Sequence, residues 1–148
     1  IQDLTIKSKI KYDNIELAYK SNRIKKYLNN YKNLIYLKNG DIYLDYSNKI
    51  LSIKGNSKYS IDKKFDNIKF DITKNNEDYK FDTTVEIKHN SIILDAINYS
   101  KKKDVFSSAR IKGKFSNSKG LHLNKIYYNE NDNFLEIIGL ILDQKIKN

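Results

Sequence analysis

The chain has 148 residues, of which 39% are apolar, and 28 Lys/Arg against 18 Asp/Glu give it a formal net charge of +10. This length favours a single domain over residues 1–148, and the absence of Cys excludes disulfides, thiolate catalysis and Cys-based metal sites. Met is absent too, so Ile1 is not an initiator residue, and we expect that a signal or membrane anchor precedes it in the native protein.

Positive charge is concentrated in the first part of the chain. Residues 1–65 contain 14 Lys/Arg and 6 Asp/Glu, whereas residues 66–148 contain 14 and 12. We therefore expect that a contact with an anionic group would use the N-terminal half.

The segment between residues 15 and 32 has two interpretations. Ile24, Tyr27, Leu28 and Tyr31 fall at i, i+3, i+4 and i+7, which is the spacing of an amphipathic helix. Strand-forming residues crowd both sides of the segment, which favours a bent strand pair instead. One short N-terminal helix and a strand pair therefore both stay open.

The clearest local signal is a strand, a turn and a strand between residues 34 and 44. The tetrapeptide Lys38-Asn39-Gly40-Asp41 separates two runs of strand formers, and Asn-Gly tolerates the positive φ angles of a tight turn. We therefore predict a hairpin at this point. A polar break at residues 47–49 then precedes another alternating strand.

Two more strands alternate cleanly in the middle of the chain. Ile68, Phe70 and Ile72 are separated by polar residues, and residues 81–88 follow the same pattern. Residues 74–78, Lys-Asn-Asn-Glu-Asp, predict the loop between them.

Two segments in the last third of the chain repeat one pattern, 29 residues apart from Tyr99 to Tyr128. Each is an apolar run that closes on tyrosine, a polar turn and another apolar run, which predicts strand, turn and strand twice. Residues 59–65 resemble a degenerate copy, and Gly139 predicts a bulge in the last strand. Such units are expected to coil short strands around a continuous apolar interior.

No motif of enzymatic chemistry stands out. His89 and His122 lack the i+3 or i+4 partner that a helical metal site would use, and no phosphate-binding glycine loop or nucleophile elbow occurs. We expect neither an enzyme nor a cofactor.

Composition and repeats allow two functions that need no enzymatic chemistry. A sheet face of tyrosines interleaved with lysines can stack single-stranded bases, and the chain has 12 Tyr among its 28 cations. Only two of those cations are Arg, the usual residue for phosphate recognition, and most tyrosines occupy positions in apolar runs. A scaffold or surface protein with no ligand is the second alternative.

The order of these pieces resembles the periplasmic lipopolysaccharide-export bridge proteins of the LptC/LptA (OstA-like) superfamily, and the inner-membrane-anchored LptC type most closely. The likeness begins at about Leu17. It is carried by Glu16-Leu17-Ala18-Tyr19 with Ile24 as an early strand pair, residues 34–44 as a hairpin, Ile50-Leu51-Ser52-Ile53-Lys54-Gly55 with Tyr59, and residues 85–112 and 119–139 as closing repeats.

This resemblance implies an all-β fold, a repeat-built open β-jelly roll or V-shaped trough of antiparallel strands. It implies that the protein binds an amphipathic, lipopolysaccharide-like glycolipid in a hydrophobic groove and hands it along a trans-periplasmic bridge. The implied partners are neighbouring β-jelly-roll bridge proteins, joined by edge-strand addition, and an inner-membrane ABC transporter complex. The implied location is the periplasm, with anchoring to the inner membrane.

Acyl chains in such a groove would be stabilised by burial, while lysines at its rim could meet an anionic head group. The groove residues expected from the strand pattern are Ile42, Leu44, Leu51, Ile53, Ile68, Phe70, Ile72, Val85, Ile87, Ile92, Leu94, Phe106, Ile111, Leu121, Leu123, Leu135 and Ile137. For each of them, ordinary core packing is the alternative. The head-group rim is expected at Arg23, Lys25 and Lys26.

Overall fold

The computed structural model describes residues 4–142, except for the side chains of Arg23, Ala96 and Leu142. Its elements in chain order are β1 (Ile6–Ala18), α1 (Asn22–Tyr27), β2 (Leu34–Ser47), β3 (Ile50–Ser60), β4 (Asp66–Asn75), β5 (Asp78–Glu86), β6 (Ile92–Leu94), a 3-10 turn (Asp95–Ile97), β7 (Tyr99–Lys101), β8 (Ser107–Ser116), β9 (Gly120–Glu130) and β10 (Asn133–Leu142).

Eight of these strands form one open antiparallel sheet in the order β1-β2-β3-β4-β5-β8-β9-β10. The short strands β6 and β7 pair only with each other. Because β1 and β10 lie at opposite ends of the order, the sheet does not close into a barrel. The predicted class, an all-β open trough of antiparallel strands, is confirmed.

Asparagine, rather than glycine, forms most of the turns. Within residues 4–142, six of the eight non-glycine residues with positive φ are Asn. Asn48 and Lys49 (φ 50° and 63°) join β2 to β3, which is the pattern of a type I′ hairpin, and Asn76 (φ 53°) and Asn131 (φ 53°) lie in the next two-residue turns. Asparagine enters this region of φ at less cost than other residues with a Cβ, so the Asn-rich composition has a conformational role.

The prediction of a hairpin at Asn39-Gly40 is wrong. Strand β2 runs without interruption through these residues, and its register with β3 shifts between Lys38 and Asp41. This is a bulge: Asn39 has φ 51°, and the hydroxyl of Ser57 lies 3.1 Å from the Lys38 carbonyl oxygen. Asn-Gly suits a bulge as well as a turn, and the flanking runs pair with β1 and β3 rather than with each other.

The segment between β1 and β2 contains the short helix, not the strand pair. Ser21 caps α1, since the Ile24 amide donates to its hydroxyl oxygen over 3.2 Å, and the Leu28 amide donates to the Ile24 carbonyl over 2.8 Å. The Tyr31 hydroxyl then donates to the carbonyl oxygen of Tyr19, which ties the end of this segment to its beginning. Ile24, expected in an early strand pair, therefore lies in a helix.

The repeated units adopt different structures. The second copy is the hairpin of β9 and β10, whereas in the first copy β7 pairs back onto β6 and leaves β8 to pair with β5. The degenerate copy at residues 59–65 packs against the first, because Lys64 pairs with Asp104 at 3.1 Å and Lys103 pairs with Asp62 at 3.3 Å. Sequence similarity marks similar turns here, not similar strand pairing.

Among the described residues, full burial of apolar side chains is confined to one end of the sheet. We call residues 19–33 and 87–106, which hold α1, β6 and β7, the cap. The fully buried apolar residues in the described part of the chain are Tyr31, Ile61 and Ala109, which lie in the cap or beside it. The accessible surface is 10981 Å², against about 7,900 Å² for a compact monomer of this mass. A single layer of sheet accounts for the excess.

Candidate functional site

The strand registers align apolar side chains in rows across the sheet. Residues directly opposite each other in an antiparallel pair project from the same face. The four rows, which together form what we call the apolar face, are Leu44-Ile53-Ile72-Phe81-Leu123-Leu140, Ile10-Ile42-Phe70-Ile111-Ile126-Ile137, Ile68-Val85-Ala109-Tyr128-Leu135 and Ile6-Tyr46-Leu51-Tyr79-Phe115-Leu121. Gly55, Gly113, Thr83 and Lys74 occupy the remaining positions inside these rows.

Side chains of the apolar face pack against those of neighbouring strands, but no second layer of described residues covers the face. Ile53, Ile72 and Phe81 on the central strands are half-buried, while Ile10 on β1 and Leu140 on β10 are 45% and 38% exposed. With strands about 4.8 Å apart, eight strands extend roughly 34 Å, and four rows cover roughly 20 Å along the strands. A continuous apolar surface of this size exceeds what most soluble monomers expose.

Aromatic rings lie over glycines within this face. A Cβ at Gly55 would come within 2.7 Å of the Phe70 ring, and a Cβ at Gly113 would come within 2.6 Å of the Phe81 ring. The rings cover backbone that would otherwise be open to water, and the glycines leave room for them. In these pairs, the rings of Phe70 and Phe81 lie close to the sheet backbone.

The opposite face, which we call the polar face, is crossed by ion pairs between neighbouring strands. Asp71 and Asp82 lie directly opposite each other, and Lys54 pairs with Asp71 at 3.0 Å. Arg110 donates two hydrogen bonds of 2.9 and 2.8 Å to Asp82, and Lys112 lies 3.0 Å from the same carboxylate. The Arg110 hydrogen bonds, with help from Lys112, lower the pKa of Asp82 to about 2.

Further pairs continue this pattern towards both edges. Lys7 lies 3.7 Å from Asp45, and Lys125 pairs with Glu136 between β9 and β10. A shallow depression of about 750 Å³ lies beside Lys7 and Asp45, but its charged groups are already paired, so we assign no ligand to it. Six cations of this face therefore have a carboxylate partner, whereas Lys69, Lys80 and Lys114 on the same face have none among the described residues.

The cap holds a buried lysine. The Lys101 ammonium donates to the carbonyl oxygens of Asn90 (2.7 Å), Lys102 (3.0 Å) and Lys88 (3.2 Å), and the residue is 1% exposed. Desolvation lowers the pKa of Lys101, and nearby carboxylates, chiefly Glu130, oppose this shift. Three carbonyl partners satisfy the ammonium, and they join the segment before β6 to the end of β7.

The cap meets the apolar face at the two repeated tyrosines. The Tyr99 and Tyr128 hydroxyls lie 2.8 Å apart, and their rings form an edge contact with centroids separated by 5.8 Å. Both hydroxyls donate towards one carboxylate oxygen of Glu130, and the Tyr128 bond measures 3.2 Å. Beside them is a cavity of about 380 Å³, lined by Leu94, Ile97, Tyr99, Tyr128, Glu130, Asn133, Phe134 and Leu135.

Most of the predicted groove residues share the apolar face. They are Ile42, Leu44, Leu51, Ile53, Ile68, Phe70, Ile72, Val85, Ile111, Leu121, Leu123, Leu135 and Ile137. Ile87 follows the end of β5, with its amide bonded to the Ser107 carbonyl oxygen at 2.8 Å. Ile92 and Leu94 lie on β6 in the cap, and Phe106, at 50% exposed, lies just before β8.

The three predicted rim residues belong to α1, which contacts β6 in the cap. Lys25 and Lys26 are exposed. The side chain of Arg23 lies outside the described residues. The predicted rim is therefore on the cap rather than along the sheet.

Other members of the apolar face were not selected from the sequence. Phe81, Ile126 and Leu140 complete rows that the predicted residues begin. Phe81 was visible as an alternating position, but Leu140 lies beyond Gly139, whose φ is +73°, and pairs with Leu123, so the alternation of Leu135 and Ile137 does not predict it. The register of β9 with β10 is the same on both sides of Gly139, and the register shift in this region lies between β8 and β9, at Lys112 and Gly113, so the bulge predicted at Gly139 is not found in this pairing.

Neither a family model nor a curated protein nor a solved structure matches this chain. Within residues 4–142, the structure contains no cluster of three or more His, Cys, Asp or Glu that could hold a metal ion. Among the described helices, none is both long and apolar enough to cross a lipid bilayer.

Proposed function

We propose that this protein binds the acyl part of an amphipathic glycolipid on its apolar face. The observation that carries the proposal is the continuity of four apolar rows, which no described residue covers outside the cap. A soluble protein rarely leaves such a surface to water without a ligand or partner.

Burial energies make an acyl chain a suitable occupant. Each methylene removed from water contributes about 0.8 kcal/mol, so ten methylenes contribute about 8 kcal/mol before the costs of association. The central rows contain mainly Ile, Leu and Phe. Hydrogen-bonding groups lie at both ends of the face, with Tyr99, Tyr128 and Glu130 at the capped end and Tyr46, Lys74 and Tyr79 at the other. The middle of the face therefore suits the apolar part of a ligand, and its ends suit a polar head group.

The polar face gives little support to the nucleic-acid alternative. Lys54, Arg110 and Lys112 are each within 3.0 Å of a carboxylate oxygen. A phosphate backbone would have to displace these carboxylates before it could pair with these three cations. A scaffold without a ligand is likewise less well supported, because it would be expected to fill its apolar interior with its own side chains.

The finer proposal is that the lipid is similar to lipopolysaccharide and that the protein passes it along a chain of β-jelly-roll bridge proteins in the periplasm. The two open edges are compatible with strand addition. β10 is the less protected edge, since Phe134, Ile138 and Ile141 are 69%, 74% and 56% exposed, whereas β1 carries Lys7 and two further lysines. We therefore propose β10 as the edge that receives a neighbour.

Photo-crosslinking from adjacent positions of β4 tests the lipid proposal. A benzoylphenylalanine at Phe70 faces the apolar surface, and the same residue at Asp71 faces the polar surface, one position away on the same strand. With purified lipopolysaccharide, we expect an adduct from position 70 and at least tenfold less from position 71. Equal labelling of both positions, or none from either in folded protein, would contradict lipid binding at this face.

A further inference from the structure

The repeated tyrosines meet at a place that the sequence pattern did not reveal. Tyr99 comes from β7 in the cap and Tyr128 from β9 in the sheet, and Glu130 accepts hydrogen bonds from both. Both bonds use Oε2, so Oε1 is available as an acceptor for a ligand. A carboxylate can accept several hydrogen bonds and donates none.

The surroundings of this carboxylate combine apolar walls with polar ends. Leu94, Ile97 and Leu135 supply the aliphatic side of the 380 Å³ cavity, and Ile97 is 57% exposed. Phe134 borders the cavity as well, but its ring stacks on Tyr127 of the polar face, with centroids 6.2 Å apart. Asn133 adds an amide that can both donate and accept. The cavity adjoins the apolar face, because Tyr128 and Leu135 belong to both.

Charge decides which head group suits the cavity. A phosphate or carboxylate would approach Glu130 with the same sign of charge, which is unfavourable where water is partly excluded. An ammonium group would be repelled by the Lys101 ammonium, which is buried in the cap and interacts with the Glu130 charge without forming an ion pair with it. A neutral hydroxyl donates to the carboxylate with neither penalty.

We propose that the Tyr99-Tyr128-Glu130 cluster is the head-group site of the lipid-binding face and that it takes a neutral, hydroxyl-bearing head group such as a sugar. This proposal rests on the proposed function, because the alkyl part of the ligand lies on the apolar face. It assigns recognition of the sugar to the carboxylate and the two tyrosine hydroxyls, and not to the lysines of α1.

A single tryptophan provides the measurement, since the chain contains none. In an Ile97→Trp protein the indole lies beside the cavity, where the wild-type side chain is 57% exposed. Octyl glucoside, octyl phosphate and octylammonium, each below its critical micelle concentration, carry one alkyl chain and different head groups. We expect a blue shift of the indole emission that is half complete at a concentration at least tenfold lower for octyl glucoside than for the other two.

The charge of Glu130 is then removed in the protein that carries the tryptophan. Glu130→Gln should bring the three half-saturation concentrations to within about threefold of one another, and Tyr128→Phe should weaken octyl glucoside selectively. Glu136→Gln, whose carboxylate pairs with Lys125 on the polar face, is the matched control and should leave the preference intact. Thermal unfolding of each variant confirms that it folds.

The outcomes separate the two proposals. Equal binding of all three amphiphiles to the parent protein, or a preference for octyl phosphate or octylammonium, would overturn the head-group site and leave lipid binding in place. Retention of the sugar preference in folded Glu130→Gln and Tyr128→Phe proteins would also overturn it. If none of the amphiphiles binds and position 70 captures no lipid, the proposed function fails as well.

Discussion

The two faces of the same eight strands are stabilised in different ways. On the apolar face, Ile53, Ile72 and Phe81 lie side by side on three neighbouring strands and have no layer above them in the described residues. On the polar face, Asp71 and Asp82 lie side by side and are joined to cations on both sides. Since both faces belong to one backbone, their difference arises from side-chain alternation alone.

The comparison shows why a sheet without a conventional core can persist. Cross-strand pairs on one face and apolar rows on the other both connect each strand to its neighbours, so little of the stabilisation has to come from a second layer. As a consequence, the folded protein has an apolar surface that no other described part of the chain covers. That surface is available for a ligand.

A charge introduced on each face in turn tests this asymmetry most strongly. Ile72→Asp places a carboxylate between Ile53 and Phe81, and we expect it to lower the free energy of unfolding by on the order of 2–4 kcal/mol. Thr73→Asp, the adjacent position on the polar face, lies opposite Lys80 and should change it by less than about 0.5 kcal/mol. Urea unfolding followed by circular dichroism measures both, and equal losses would show that the faces do not differ as described.

The ion pairs of the polar face should contribute less to the free energy of unfolding than the apolar rows do, and their contribution should depend on pH. The pKa of Asp82 is about 2 in the folded protein and about 3.9 in an unfolded chain, so its ion pairs stabilise the fold above about pH 4. This stabilisation is lost as the pH falls from about 4 to about 2. We expect Asp82→Asn to cost no more than about 1 kcal/mol at pH 7.

The same variant gives a pH signature. The difference between Asp82→Asn and the parent protein should disappear near pH 2, where the parent carboxyl is becoming protonated. Glu77→Gln, in the exposed turn between β4 and β5, provides the control and should show no such difference. A difference for Asp82→Asn that stays constant from pH 7 to pH 2 would argue against the ion pairs as its source.

The sequence predicted the alternation well because a period of two is a local property. Ile68, Phe70 and Ile72 were assigned to one face from their spacing, and the register places them there. Strand pairing was harder to predict, since Asn39-Gly40 suits a bulge as well as a hairpin. Whether Asn39-Gly40 forms a bulge or a turn depends on the pairing of β2 with β1 and β3, and a local sequence pattern does not contain this information.

The site was predicted in part for the same reason. The groove residues on long strands could be recognised one strand at a time, whereas the meeting of Tyr99, Tyr128 and Glu130 requires the cap to fold back onto the sheet. The repeat drew attention to both tyrosines. It gave no indication that their hydroxyls share one carboxylate, because β7 pairs with β6 instead of β8.

The central claim, that the apolar face is open and binds lipid, can be tested by methyl NMR with two paramagnetic probes. An alkyl glucoside spin-labelled near its chain end should broaden the methyl signals of Ile53, Ile72 and Ile111 more strongly than those of Thr73 and Thr84, which lie on the polar face. Without lipid, a water-soluble gadolinium chelate should broaden both groups. The account is contradicted if neither probe reaches the three isoleucines, because their face would then be covered.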